Sequence, residues 1–253
     1  MEIWAIANQK GGVGKTTTTI SVADALANRG FRVLMLDLDP QASLTSYLKL
    51  DPDQIENTTY DLFEQPSRIR PLETGFDRLD IVGGSLGLAN LEKRAATIQG
   101  KGLVLKSWLS TKTDLYDFCL VDTPPALGML MINALVACDR LLVPVQTDFL
   151  ALKGLERMLR MLVMLGRSGR EINYLLIPTL YDQRTNASKR TLQTLRNQYG
   201  DHLWPGIIPI DTRLRDASRL GVPPSSMFSQ SRAVAAYDNL TADLLREVDE
   251  RRA

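Results

Sequence analysis

The sequence is poor in the residues that build metal and disulfide scaffolds. It holds two cysteines, Cys119 and Cys138, each in an apolar segment, and one histidine, His202. With no C-x-x-C pair and no histidine cluster, a zinc site and a disulfide framework are excluded, and a reducing cytoplasm is the matching compartment. Aromatic residues make up 6% of the chain, and Trp4, Trp108 and Trp204 are too dispersed to form a stacking platform for bases. A charge bias is missing too: 30 Lys plus Arg stand against 29 Asp plus Glu, so nucleic-acid binding would need a local patch. No apolar run reaches the roughly 20 residues of a membrane span. The N-terminus lacks the basic stretch and apolar core of a signal peptide. Without repeats, low-complexity tracts or a linker, residues 1–253 read as one domain, long enough to bury a full core.

Against this background one stretch stands out: Lys10-Gly11-Gly12-Val13-Gly14-Lys15-Thr16-Thr17. It follows the apolar run Ile3 to Ala7 and precedes a helical pattern from Thr16 to Asn28. Strand, glycine-rich loop and helix are the context of a phosphate-binding loop. Glycines let successive N–H groups converge on one anion, and the helix N-terminus adds partial positive charge. Lys15 can then reach the β- and γ-phosphates, and the Thr16 hydroxyl can ligate Mg²⁺. The usual first glycine is replaced by Gln9, and an additional lysine, Lys10, enters the loop.

Carboxylates recur at the ends of the apolar strands that follow. The strand Arg32–Asp37 runs into Asp37-Leu38-Asp39-Pro40-Gln41. Period-two spacing predicts both aspartates on one side of an extended backbone, one supporting a metal and one orienting a water. The same residues are also compatible with a plain turn, because Asp-Pro is a turn dipeptide. Asp122 ends the strand Asp117–Asp122, where it can hold Mg²⁺ through a water or cap a helix. Lys10 is either a solvated side chain or a cation reaching the nucleotide of a facing subunit.

Further strands are predicted at Leu79–Val82, Arg140–Val145, Tyr174–Leu180 and Gly206–Ile210. Helices are predicted at Leu88–Ala96, Leu103–Leu109, Leu130–Ala137, Leu152–Leu165, Ser188–Tyr199 and Arg232–Arg251, with short helices and turns between Leu44 and Phe63 and a loop around Gly100–Gly102. The alternation predicts an α/β fold: a mostly parallel twisted sheet covered by helices on both faces. Met158, Met161 and Met164, at helical spacing, read as core. His202 reads as a loop or surface residue.

The loop from Lys10 to Thr17 resembles the deviant Walker A motif of the ParA/MinD ATPases, and Asp37-Leu38-Asp39-Pro40-Gln41 resembles the switch segment of their ParA (Soj-like) branch. Phe118 to Pro125 is similar to the family's Walker B strand. Leu180 to Thr185 resembles the segment after its sixth strand, and Ile208-Pro209 the segment that follows. The likeness covers nearly the whole chain. It implies a single-domain P-loop NTPase that hydrolyses ATP with Mg²⁺ and forms a nucleotide-sandwich homodimer. It also implies nonspecific DNA binding and stimulation by a ParB-like partner. By position, Lys10 would act across the dimer. Gly11, Gly12, Val13, Gly14, Lys15, Thr16 and Thr17 would hold phosphates and metal. Asp39 would position the water, with Asp37 and Asp122 near the metal. Tyr181, Asp182, Pro209, Asp211 and Arg213 would surround the adenine.

The resemblance places DNA binding on Arg213, Arg215, Arg219 and Arg232. Arg213-Leu214-Arg215-Asp216-Ala217 is similar to R-L-S-E-A, with Arg for Ser and Asp for Glu. Ser231-Arg232-Ala233 is similar to S-R-G-A, with Ala for Gly. The stretch Tyr199-Gly200-Asp201-His202 departs from the family by lacking basic residues. The implied setting is cytoplasmic and nucleoid-associated, with plasmid or chromosome as cargo. A protein cluster such as chemoreceptors is an alternative cargo. A MinD-like membrane cycle would need a basic amphipathic C-terminal helix, whereas acidic residues punctuate Arg232–Arg251. A metabolic ligase or an iron-protein-like reductase on the same scaffold would lack D-x-D-P-Q or need cluster cysteines in loops. The chain opens directly on the first strand, which argues against a preceding helix-turn-helix and operator binding. Lys15→Ala should abolish ATP binding in equilibrium dialysis; retained affinity would overturn the loop assignment.

Overall fold

The computed structural model describes residues 1–94, 103–166 and 171–252. In chain order the elements are β1 (Glu2–Ile6), α1 (Lys15–Ala27), β2 (Val33–Asp37), α2 (Ser43–Tyr47), α3 (Thr59–Glu64), β3 (Leu72–Glu73), β4 (Leu79–Val82), α4 (Leu88–Arg94), α5 (Val104–Leu109), β5 (Phe118–Asp122), α6 (Met129–Ala137), β6 (Arg140–Gln146), α7 (Phe149–Gly166), β7 (Tyr174–Thr179), α8 (Asn186–Tyr199), α9 (Thr212–Leu220), α10 (Pro224–Phe228) and α11 (Arg232–Arg252). The expected loop around Gly100–Gly102, and Ala95 and Ala96 of the expected helix, lie outside the described residues.

Among the described residues the strands form one sheet in the order β3-β4-β2-β5-β1-β6-β7. Every pairing is parallel except β3 with β4. Strands such as Val33-Leu34-Met35-Leu36 are apolar at every position because both faces are covered. Alternation then sorts them between two cores. Leu34, Leu36 and Val121 pack with Leu130 and Leu155, from α6 and α7, on one face. Val33, Met35 and Leu120 pack with Ile20 and Leu244, from α1 and α11, on the other. The chain leaves β1 toward β2 on one side and returns to its other side for β6 and β7. That reversal opens a crevice beyond the carboxyl ends of the central strands.

Four expectations change. Residues 206–210 are not a strand. They run beside the end of β7 through one isolated bridge, Tyr181 with Pro209, and bonds such as Ile208 N–H to the Pro178 carbonyl (2.8 Å). Pro205 and Pro209 remove the donors that a continuous ladder needs. The two-residue β3 carries too little pattern to be read. Helices α9 and α10 went unassigned because they are short; α9 is mostly polar, with Leu214 and Ala217 as its buried pair. Met158 and Met161 are core, but Met164 is 70% exposed on the outer face of α7.

The face of α11 carrying Tyr237, Leu240 and Leu244 is consumed by packing on α1, so it is not a free amphipathic surface. No described helix is long and apolar enough to cross a membrane. Leu240→Ala should lower unfolding stability by about 2–5 kcal/mol in urea titrations. Asp249→Ala, on the exposed side, should change it by less than about 0.5 kcal/mol. Equal effects would contradict the packing of α11.

Candidate active site

Between β1 and α1 the backbone turns through Gly12 (φ 75°) and Gly14 (φ 92°), in the left-handed region that side chains avoid. Gly14 precedes α1 with no side-chain cap, which leaves the first N–H groups of the helix available to an anion. The loop is fastened on two sides. Thr179 at the end of β7 donates its hydroxyl to the Val13 carbonyl (2.8 Å), and Asn8 donates its amide to the Pro144 carbonyl of β6 (2.8 Å).

The loop borders a cavity of about 610 Å³. Gly11, Gly12, Gly14, Lys15, Thr16, Thr17 and Asp39 line it together with Pro209, Asp211 and Arg215. Val13 is fully buried and contributes only backbone. Tyr181, Asp182, Arg213 and Arg232 line an adjoining cavity of about 710 Å³ that shares Pro209 and Asp211. Asp182 is engaged by Arg184, whose side-chain and backbone bonds hold its carboxyl down to about 2.

Sequence reading missed Gln41, Ser43, Leu180, Ser218 and Tyr237 in the wall. Leu180, at φ 51°, is a strained non-glycine position directly after β7. Its place beyond a strand's carboxyl end was a signal. Tyr237 carried none, since it falls on the apolar stripe of α11; its hydroxyl meets Thr18 Oγ1 at 3.0 Å.

Asp37 and Asp122 are opposite partners at the ends of β2 and β5. Both are buried. Thr16 Oγ1 donates to Asp122 Oδ2 (2.6 Å), whereas Asp122 Oδ1 is buried with no partner. Desolvation, then the charge of Asp37, push the Asp122 carboxyl up to about 8 against the pull of Thr16 and Lys15. Desolvation also raises Asp37, to about 6, although it accepts bonds from the Thr45 N–H (2.9 Å), the Thr45 hydroxyl (2.7 Å) and the Asp39 N–H (3.1 Å). Leu38 continues the side of Leu34 and Leu36 in one core, so Asp37 and Asp39 keep to the other side of the chain, yet their surroundings differ. Asp37 anchors α2 behind the cavity, and Asp39 faces into it. Burial lowers the Lys15 pKa, and Asp122 and Asp39 oppose that shift.

Lys10 is elsewhere. Its ammonium bonds Gln146 Oε1 (3.0 Å) and pairs with Asp148 (3.6 Å) beyond the end of β6, outside the wall of its own cavity.

The orphaned Asp122 Oδ1 beside the Thr16 hydroxyl fits a hard divalent cation. Among the described residues no three His, Cys, Asp or Glu side chains converge to enclose one unaided. Phosphate oxygens and waters would complete such a shell, as suits Mg²⁺.

A glycine-turned loop at a helix N-terminus, a buried lysine and a strand-end aspartate bonded to the loop threonine define a P-loop nucleotide hydrolase. The AAA-domain family matches residues 1–174. Over 98% of both chains, the sequence is 33% identical to the sporulation initiation inhibitor protein Soj of Bacillus subtilis. It is 32% identical to the chromosome partitioning protein ParA of Caulobacter vibrioides, covering 100% of this chain and 97% of that one. Among solved structures, cobyrinic acid a,c-diamide synthase of Mycobacterium smegmatis with ADP and magnesium superposes at TM-score 0.83, with 30% identity over 98% and 96% of the two chains. A putative plasmid partition protein of Borrelia burgdorferi bound to AMPPNP also gives 0.83, with 25% identity over 97% and 99%. The chain belongs to the ParA/MinD family of deviant Walker A ATPases. It is a ParA-type positioning ATPase, with ATP and Mg²⁺ as its cofactors.

A carboxyl held above its unfolded value favours the folded state while protonated. That contribution is complete below about pH 4 and fades as pH rises through the folded values. Asp122→Asn should therefore raise the melting temperature of the nucleotide-free chain at pH 8 by roughly 2–4 °C, while abolishing hydrolysis. The gain should shrink toward pH 5. A pH-independent difference in calorimetry would contradict the buried pair.

Proposed function

We propose that the ATP-bound chain pairs with a second copy, binds DNA without sequence preference, and is reset by hydrolysis when a ParB-like partner engages it. The observation that carries the DNA reading is a set of four exposed arginines beside the nucleotide cavities: Arg213, Arg215 and Arg219 on α9, and Arg232 at the start of α11. Among the described residues none of the four forms an ion pair, and the Arg213 guanidinium donates to the Gln230 carbonyl (3.5 Å). Unpaired cations on one short surface suit a phosphate backbone.

In the hydrolytic step, the loop N–H groups and Lys15 hold the β- and γ-phosphates. Thr16 and Asp122 provide the metal position, and Asp39 orients water toward the terminal phosphate. Mg²⁺ held there would supply neutralisation of the phosphate charge. Lys10, held outside its own cavity by Gln146 and Asp148, would exchange those partners for the phosphates of a facing copy. The cargo is plasmid or chromosomal DNA carried over the nucleoid.

The likeness to a diamide synthase supports one competing reading, ligation of an acceptor substrate on the same scaffold. Product analysis separates them: the partition reading yields ADP and phosphate without an acceptor.

Asp39→Ala should leave a dimer with ATP in sedimentation while slowing hydrolysis at least tenfold. A monomer would remove Asp39 from the water-positioning role. Arg232→Glu should weaken DNA retention about tenfold and flatten its salt dependence by about one ion, with dimerisation intact. Unchanged retention would take Arg232 off the surface.

A further inference from the structure

One carboxylate joins the two helices that carry the arginines. Asp211 caps α9, accepting the Arg213 N–H at Oδ1 (3.0 Å). Its other oxygen, Oδ2, accepts the Ser231 hydroxyl (2.7 Å). Ser231, 1% exposed, in turn caps α11, since its Oγ accepts the N–H groups of Ala233 (3.2 Å) and Val234 (3.3 Å). Arg213 is two residues from Asp211, and Arg232 directly follows Ser231. The register between the first turns of α9 and α11 therefore runs through the Asp211–Ser231 bond.

The same Asp211 lines both cavities. Desolvation pushes its carboxyl up, but the bonds from Arg213, Ser231 and Ala233 outweigh that and hold it below the ordinary range. An ionised carboxylate only accepts hydrogen bonds, and it repels phosphate. It therefore matches the nucleoside end of the ligand, whose ribose hydroxyls and exocyclic amine are donors. The phosphates fall to Lys15 and the loop. A second link runs parallel to this one: Tyr237, further along α11, lines the cavity and bonds Thr18 of α1.

We propose that Asp211 is the positioning residue through which nucleotide occupancy sets the arginine surface, because it lines both cavities and ties the caps of α9 and α11 through Ser231. This rests on the DNA reading above. A ligand donor that draws on the Asp211 carboxylate changes its hold on Ser231. The spacing of Arg232 from Arg213 and Arg215 changes with it. Differential contact of this kind is what converts occupancy into a coupling free energy between two sites.

The test uses the full chain and three variants, with ATP and ADP as probes. DNA affinity is measured in each nucleotide state beside nucleotide affinity and thermal melting. Ser231→Ala cuts the tie to α11 while Asp211 still caps α9. It should keep ATP affinity within twofold yet reduce the ATP-to-ADP ratio of DNA affinity at least fivefold. Ser231→Thr, which retains the hydroxyl, should keep the wild-type ratio. Asp211→Ala should lose both the ratio and several-fold in ATP affinity. A Ser231→Ala protein with the wild-type ratio overturns the proposal, as does one whose DNA affinity falls by the same factor with ATP and ADP, the mark of a merely structural cap. A wild-type protein that binds DNA equally with ATP and ADP defeats the DNA reading itself, and the proposal with it. That failure is seen before any variant is made.

Discussion

Two buried aspartates at the ends of neighbouring strands set the terms for the rest of the site. Asp37 and Asp122 face each other across β2 and β5 with little water to separate their charges. Like charges so placed are costly unless donors and cations surround them. Thr45 and the Asp39 backbone answer Asp37, and Thr16 and Lys15 answer Asp122. One oxygen of Asp122 stays unanswered. The site is thus electrostatically incomplete in the bare chain, and a divalent cation with phosphates is the chemistry that completes it.

The surroundings hold that incompleteness in place. Thr179 and Asn8 fasten the loop to β7 and β6, so its N–H groups stay pointed at the cavity while the glycines keep side chains out of the turn. The same strand ends deliver Gln146 and Leu180, so the carboxyl edge of the sheet supplies the nucleotide wall and the seat of Lys10 together. On the opposite face α11 rests on α1 and reaches the cavity with Tyr237. The helix that begins with Arg232 therefore also ends part of the nucleotide wall.

Much of this was legible in the sequence because it is local. The loop, its strand and its helix are contiguous, and parallel strands buried on both faces read as plain apolar runs. Lys15, Thr16 and Asp39 line one cavity. The failures share a cause: they depend on partners distant in sequence. The run from Gly206 to Ile210 has strand-like composition but lacks donors at its prolines. Asp37 and Asp39 look equivalent until α2 claims one of them through Thr45. Tyr237 is indistinguishable from a core tyrosine until Thr18 and the cavity are beside it. Helix α9 buries only two side chains, so its periodicity is faint, although it carries three of the four arginines.

On the proposed reading, the bare chain holds a charge-incomplete nucleotide site next to an arginine surface, and ATP would join the two. The most direct test is retention of the wild-type protein on DNA of unrelated sequences, measured with ATP, with ADP and without nucleotide. The account predicts retention with ATP alone, similar on every sequence and falling steeply with salt. Equal retention in all three states, or none in any, would contradict it.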